Sequence, residues 1–563
     1  MIRSLRDRAT LTRSDRAPAR SRSDWLNRVI WCRRLGWCVL AAIPLAVVAV
    51  FFVLPLGGML HRGLWPGGRL DLAGLGEVLG RRRIRRVLWF TVWSSTLATV
   101  ITVLIGVPVA YVLHRLRFPG RGLLRLIVAV PFVLPTVVVG VAFRTLLVRS
   151  GPLGFLNLDG TSTAIVVVLV FFNIAVVVRT VGAAWEGLDR RPAEAAAGLG
   201  ASRPRVFTAI TLPALRPAIV SAAVVVFLFC ATAFGVVLTL GGLRYATIET
   251  EIYLQTTQFL DLRAAAALSL LQLLLVILLL AITSRARPTP TEPEYGETGR
   301  PRVRDLPVMM ITAATVVFLA TPVITLVVRS LRRDGTWTAA AYRALGGEAW
   351  TALRNSLSTA VFATVASVAL ALIASAVVSR PARSRAGRRV LRALDAVFTL
   401  PLGVSAVTIG FGFLITLDHP PLDLRTSSVL VIVAQALVAL PLVLRVLTPP
   451  LRAVPQSLRD AAATLGAGPL RTFATVEMPL VRRPVLAGTG FAFAVSLGEF
   501  GATSFLARPD RQTLPVLIYR YSARPGADNF QSALAASVIL AAVTVVVMLG
   551  VERLGVRGVG SWA

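Results

Sequence analysis

Twelve times along this chain an apolar run is long enough to cross a lipid bilayer, and that repetition constrains the fold more than any other feature. About 20 helical residues span roughly 30 Å of hydrocarbon. Runs of that kind lie near 36–57, 87–113, 123–147, 162–182, 215–241, 263–283, 307–329, 352–379, 392–416, 427–446, 484–506 and 530–552. The expected fold is an all-α membrane protein of about twelve transmembrane helices in two sets of six. Its 563 residues are 55% hydrophobic and only 15% charged, which places it outside the soluble class.

Residues 1–34 hold ten arginines against three aspartates, a net charge of +7. The positive-inside rule keeps this segment in the cytoplasm. The first apolar run lacks a small-residue cleavage site and is expected to span rather than be removed. Alternation then puts the basic loops His114–Gly122 and Arg380–Arg389 on the cytoplasmic side, with both chain termini. The run Arg81–Arg86 falls on the outer side, where its arginines are expected to reach lipid headgroups. A Pro/Glu/Thr-rich stretch, 285–305, reads as a cytoplasmic linker between membrane domains 35–284 and 306–563.

A formal charge of +33 raises the question of nucleic acid, but the arginines separate apolar blocks and form no continuous basic face with interleaved aromatics. All 60 basic side chains are arginine. A standard phosphate-binding loop needs its lysine on the terminal phosphates, so no ATP site of that type is expected here, and no cofactor. Cys32, Cys38, Cys230, His61, His114 and His419 are too scattered for a metal cage or a disulfide framework.

The stretch EAAAGLGASRPRVFTAITLP, Glu194 to Pro213, has a gap-free partner 266 residues later: DAAATLGAGPLRTFATVEMP, Asp460 to Pro479. The same offset relates Phe132 and Pro135 to Phe398 and Pro401, Arg179 to Arg445, Phe234-Gly235 to Phe500-Gly501, and Ile252-Tyr253 to Ile518-Tyr519. Agreement spread this widely indicates a duplication. Six spans per half keep both halves in one orientation, so the repeats are parallel. Within the repeat, alanines give a smooth helix of little bulk, with Glu194 or Asp460 near its positive end. Gly200 and Gly466 then stop it, being able to turn left-handed. Each half thus carries a cytoplasmic loop of roughly 30 residues with a helix outside the bilayer, and loops that long are usually functional.

The pattern acidic-Ala-Ala, three residues, Gly, nine residues, then aliphatic-x-aliphatic-Pro resembles the coupling motif of binding-protein-dependent ABC importer permeases. Its matches are Glu194, Ala195, Ala196, Gly200, Ile210, Leu212 and Pro213, then Asp460, Ala461, Ala462, Gly466, Val476, Met478 and Pro479. The resemblance implies the type I importer permease fold. It also implies two ATPase copies docking on the motif helices, ATP and magnesium bound by those subunits, and a solute-binding protein delivering cargo at the outer face of a bacterial inner membrane.

Two fused halves resemble the thiamine-type and ferric-iron-type importers. The segments 227–242, 246–253, 262–272, 496–506 and 511–519 look closest to the thiamine type. Glu499 is a carboxylate in an apolar run where the repeat has Ala233, and intramembrane acids usually face a cavity or a partner. With Ser496, Phe234, Phe500, Pro135 and Pro401 it makes up the expected substrate pathway; a Glu near the helix end that helps to hold the fold is the other open reading of Glu499, and a packing kink is the favoured reading of the prolines. An ion-driven secondary transporter would explain the duplication but not the two glycine-stopped helices. No spacing suits an intramembrane enzyme.

Overall fold

The computed structural model describes residues 39–65, 68–69, 71–189, 191–242, 244–285, 299–333, 335–380, 382, 384–417, 423–424 and 427–553. The basic segment 1–34, Cys32, Cys38, His419 and most of the linker lie outside them. In hydrocarbon the backbone must satisfy its own hydrogen bonds, and the chain does so with helices. Among the described residues the only strand pair is Arg332–Arg333 with Thr336–Trp337.

In the first half the helices are α1 (Val39–Leu64), α2 (Leu72–Gly80), α3 (Arg82–Arg115), α4 (Arg121–Val133), α5 (Thr136–Leu147), α6 (Ser162–Glu186), α7 (Arg191–Gly198), α8 (Arg203–Ala231), α9 (Gly235–Gly241), α10 (Ile248–Thr257) and α11 (Leu262–Arg285). In the second they are α12 (Val303–Ser330), α13 (Gly346–Val378), α14 (Arg385–Thr399), α15 (Ala406–Thr416), α16 (Val429–Ala453), α17 (Gln456–Thr464), α18 (Pro469–Gly498), α19 (Leu514–Ala523) and α20 (Ala527–Arg553). Shifted by 266, the bounds of α10 fall on those of α19, and α8 begins where α18 begins, so the duplication seen in sequence is a duplication of structure.

The expected twelve or so spans become ten long apolar helices and one bent pair among the described residues. Run 123–147 breaks into α4 and α5, which meet at 105°. Pro135 has no N–H to continue the ladder and holds Leu134 in extended backbone. Run 392–416 breaks at the matching place: α14, a 3₁₀ turn at Leu400–Gly403 containing Pro401, then the 11-residue α15. Runs 215–241 and 484–506 also end early, at Ala231 and Gly498.

The halves are intertwined. α1 packs on both halves: Gly63 lies against Leu270 and Ala266 of α11, while on α15 Gly412 lies against Pro55 and Met59, and Gly58 lies against Thr416. Its Val48 and Phe52 join a core with Ala371, Ala374 and Leu440. Reciprocally, α12 packs on the first half, with Phe318 edge-on to Phe143 and Phe171. The stretch leading into α12 is strapped to the 115–117 loop by Gly299, whose N–H donates to Arg115 O and whose carbonyl accepts from Arg117. Outward, Trp89, Leu104, Leu274, Phe362 and Val546 stay exposed as a lipid-facing surface.

The arginine run at the start of α3 corrects an expectation. Arg81 pairs with Asp261 at 2.7 Å, and Arg83 grips Glu251 through two bonds of 2.6 and 2.9 Å. Arg83 also lies over the Phe259 ring. These two guanidiniums face protein acids rather than headgroups, and for Arg83 the reason is that the fully buried Glu251 needs a counter-charge.

Candidate coupling helices and central gate

Both motif helices protrude. In α7 no residue is buried, and α17 is exposed apart from Arg459 and the half-buried Ala462. Each ends in the same Schellman turn. Gly200 and Gly466 adopt φ of +82° and +78°, Gly200 N–H reaches Ala197 O, and Ala201 N–H reaches Ala196 O. Gly466 and Ala467 repeat those bonds to Ala463 and Ala462. The turns push out Leu199 and Leu465, which are 90% and 87% exposed. Glu194 and its repeat equivalent Asp460 lie near the starts of α7 and α17, and Asp460 accepts from the Gln456 amide at 2.9 Å.

From each turn a single helix runs into the membrane. α8 has 29 residues and α18 has 30, so each is a rod of ~45 Å. Both carry one wide π turn at the same register, Phe207–Thr211 and Phe473–Glu477, and Pro213 and Pro479 follow it at the second position of the resumed α-helix. Beneath the turns the halves differ. Glu477 is buried between Arg459 at 2.8 Å and Arg380 at 3.3 Å, and Arg459 also donates to the carbonyls of Leu451 and Val454. The first half has Ala193, Thr211 and His114 at those positions and builds a different cluster: His114 and Arg125 meet Glu186 at 2.9 and 2.7 Å, beside Tyr111 against Trp185 and Trp185 stacked on Phe207.

At their far ends the two rods stop beside one another. Phe234 and Phe500, repeat equivalents, stack across the seam between halves with centroids 5.3 Å apart. Tyr253 flanks Phe234 at 5.3 Å, and its equivalent Tyr519 flanks Phe500 at 5.5 Å. Four rings thus form a near-symmetric plug, and Phe505 abuts Tyr253. A Cβ on Gly235 would meet Thr136 and Phe500, and one on Gly498 would come within 3.4 Å of the Pro135 ring. The bend at Pro135 therefore seats the first half on the end of α18. Pro401 is buried in the matching break.

Of the expected pathway residues, the structure brings Phe234, Phe500 and Pro135 to the seam. Glu499 is buried, and its two oxygens accept from the backbone N–H groups of Ala502 and Thr503 at 2.7 and 3.1 Å. That geometry is a cap on the turn that redirects the chain after α18. Ser496 is fully buried, with an unpartnered Oγ. Sequence reasoning missed the Arg459–Glu477 clamp and the tyrosines as site residues, although the 266-residue offset marks the first as unique to one half and the second as common to both.

Residues 102–288 and 371–557 each match the family described as binding-protein-dependent transport system inner membrane component. The chain belongs to this family, and carries its domain twice. The permease is 28% identical over 490 residues to the thiamine transport system permease protein ThiP of Brucella abortus (strain 2308), a match covering 83% of this chain and 87% of that protein. Against the protein of the same name from Escherichia coli (strain K12) it is 27% identical over 489 residues, covering 84% and 89%. A probable ABC transporter permease protein, y4fN, of Sinorhizobium fredii (strain NBRC 101917 / NGR234) is 24% identical over 574 residues, covering 95% and 98%. The permease is thus the multi-pass inner-membrane component of an ABC importer, and its family works with ATPase and solute-binding partners.

Proposed function

We propose that this permease carries thiamine or a phosphorylated thiamine inward, driven by two ATPase copies that dock on α7 and α17. The observation that carries the coupling half of this reading is the continuity of each rod: an exposed glycine-stopped helix at one end, a ring of the plug at the other. ATP binding closes the ATPase pair, the motif helices follow, and α8 and α18 transmit the movement to the Phe234–Phe500 contact. The substrate half rests on the thiamine permeases it resembles and on a path of aromatic faces, which suit an organic cation.

In this reading both termini lie in the cytoplasm, membrane domains 35–284 and 306–563 are joined by the 285–305 linker, and ATP and magnesium are bound by the separate ATPase. A solute-binding protein docks at the outer face. The test is uptake by proteoliposomes holding the permease with its ATPase and binding protein. ATP-dependent accumulation of thiamine, absent without the ATPase, is expected. Accumulation of ferric ion instead would move the protein to the iron-type importers.

A further inference from the structure

On the seam between halves, one helical turn from the plug, a carboxylate is sealed in with half its bonding capacity unused. Glu249 in the first turn of α10 is fully buried. One oxygen accepts from the Ser405 hydroxyl of the other half, and the second has no partner. Among the described residues it meets no arginine. Its neighbour on the same helix shows what the fold does with an acid it merely has to accommodate: Glu251 is gripped by Arg83 and receives the Gln255 amide at 2.7 Å.

Nor does the fold require an acid at position 249. The equivalent helix α19, with matching bounds, has Pro515 there. The helix dipole tolerates a negative charge in a first turn but leaves the empty oxygen unexplained, and a buried polar atom without a partner is costly. Residue 253 is four positions on, so Glu249 and Tyr253 share a face of α10, and Tyr253 is part of the plug. Carboxylate and ring faces together are the chemistry that receives an organic cation.

We propose that Glu249 is the charge-recognition residue of the translocation path. As the halves part, it gives up Ser405 and faces the permanent positive charge of the substrate, while the freed faces of Tyr253, Phe234 and Phe500 cover the ring that bears it. Rejoining Ser405 after passage restores the closed seam. This rests on the organic-cation reading above, and the experiment separates the two.

Proteoliposomes with the permease, its ATPase and its binding protein are given either thiamine or a neutral isostere with thiophene in place of thiazolium, each at a concentration that loads the binding protein. Wild type is expected to move thiamine at least tenfold faster than the isostere. Glu249→Gln is expected to lose about tenfold on thiamine and little on the isostere, with Glu249→Asp in between. Equal slowing of both compounds by Glu249→Gln, the signature of a structural role, overturns the proposal, and so does no slowing of either. A wild-type complex that moves neither compound but accumulates ferric ion overturns the organic-cation reading itself, and the role of Glu249 with it.

Discussion

The two coupling loops of this permease share their outer frame to the residue and differ in what lies beneath it. Both have an alanine helix, a Schellman glycine near φ +80°, a projecting leucine, and a π turn leading into a rod. Under the second loop an ion triad locks α17 to the membrane end of α13 and α18. Under the first, the ion cluster of His114, Arg125 and Glu186 takes no residue from α7 or α8, stacked rings hold the base of α8, and α7 has no buried residue at all. If both loops receive an ATPase copy as proposed, a duplicated chain must retain what is recognised twice and is free to vary the internal support. On that reading the frame belongs to the interface and the underpinning to the fold.

The strongest way to break the comparison is to remove the shared frame. A left-handed φ costs roughly 1–2 kcal/mol for a residue with a Cβ. Both glycines are otherwise unhindered, so substitution there distorts the turn without crowding a core. Gly200→Asp with Gly466→Asp is expected to abolish uptake while the protein still reaches the membrane. Normal transport by the double variant would remove coupling from these helices. The single variants should resemble one another, since the frame is the same in both halves.

Removing the underpinning should instead divide the halves. Breaking a buried ion pair by deleting one partner costs about 3–5 kcal/mol, so Glu477→Gln is expected to lower the melting temperature of the detergent-solubilised permease clearly. Thr211→Ala, at the equivalent place, should leave it nearly unchanged. Replacing all three members, Arg380→Met with Arg459→Met and Glu477→Met, should recover most of the loss, as an apolar cluster avoids the stranded charge. Equal sensitivity of the two halves would show that the difference in support is without energetic weight.

How much of this was legible in the residues depends on how local its cause is. The glycine stops, the π-turn prolines and the 266-residue repeat follow from backbone chemistry, and they appear in the sequence as such. The break at Pro135 was legible as a kink but not as a 105° turn, because its angle is set by packing against Gly498. The exchange of α1 and α12 between halves was not legible: every span has an apolar face, and which one it meets is decided by shape. Arg83 finds Glu251 across 168 positions for the same reason. Glu499 looked like a path residue because an acid in an apolar run is conspicuous. Its cap to Ala502 and Thr503 becomes evident only once the helix is seen to end at Gly498.

At the plug the halves are alike again, and the expected effect is moderate. A stacked aromatic pair contributes about 0.5–1.5 kcal/mol beyond its burial. Phe234→Ala and Phe500→Ala should therefore each favour an open seam by up to about tenfold, read as ATP-independent leak of thiamine from loaded proteoliposomes. Similar leak from both variants is expected of a gate on the repeat axis. Leak from one alone would place the gate off that axis.

The smallest effect tests the acid that the frame carries at the same repeat position in both halves. A negative charge near a helix start gains about 0.3–1 kcal/mol from the macrodipole, and Glu194 and Asp460 occupy the same repeat position. Asp460 also accepts from the Gln456 amide, a bond that an asparagine keeps. If the acid acts by stabilising its own helix, Glu194→Gln should weaken ATPase binding to nanodisc-embedded permease by about two- to fivefold, and Asp460→Asn by less than twofold. If it acts by meeting a basic group on the ATPase, the two substitutions should weaken binding equally and raised salt should erase both effects. The first outcome makes the acid part of the helix, like the glycine that ends it. The second makes it part of the recognised surface, like the leucine beside it.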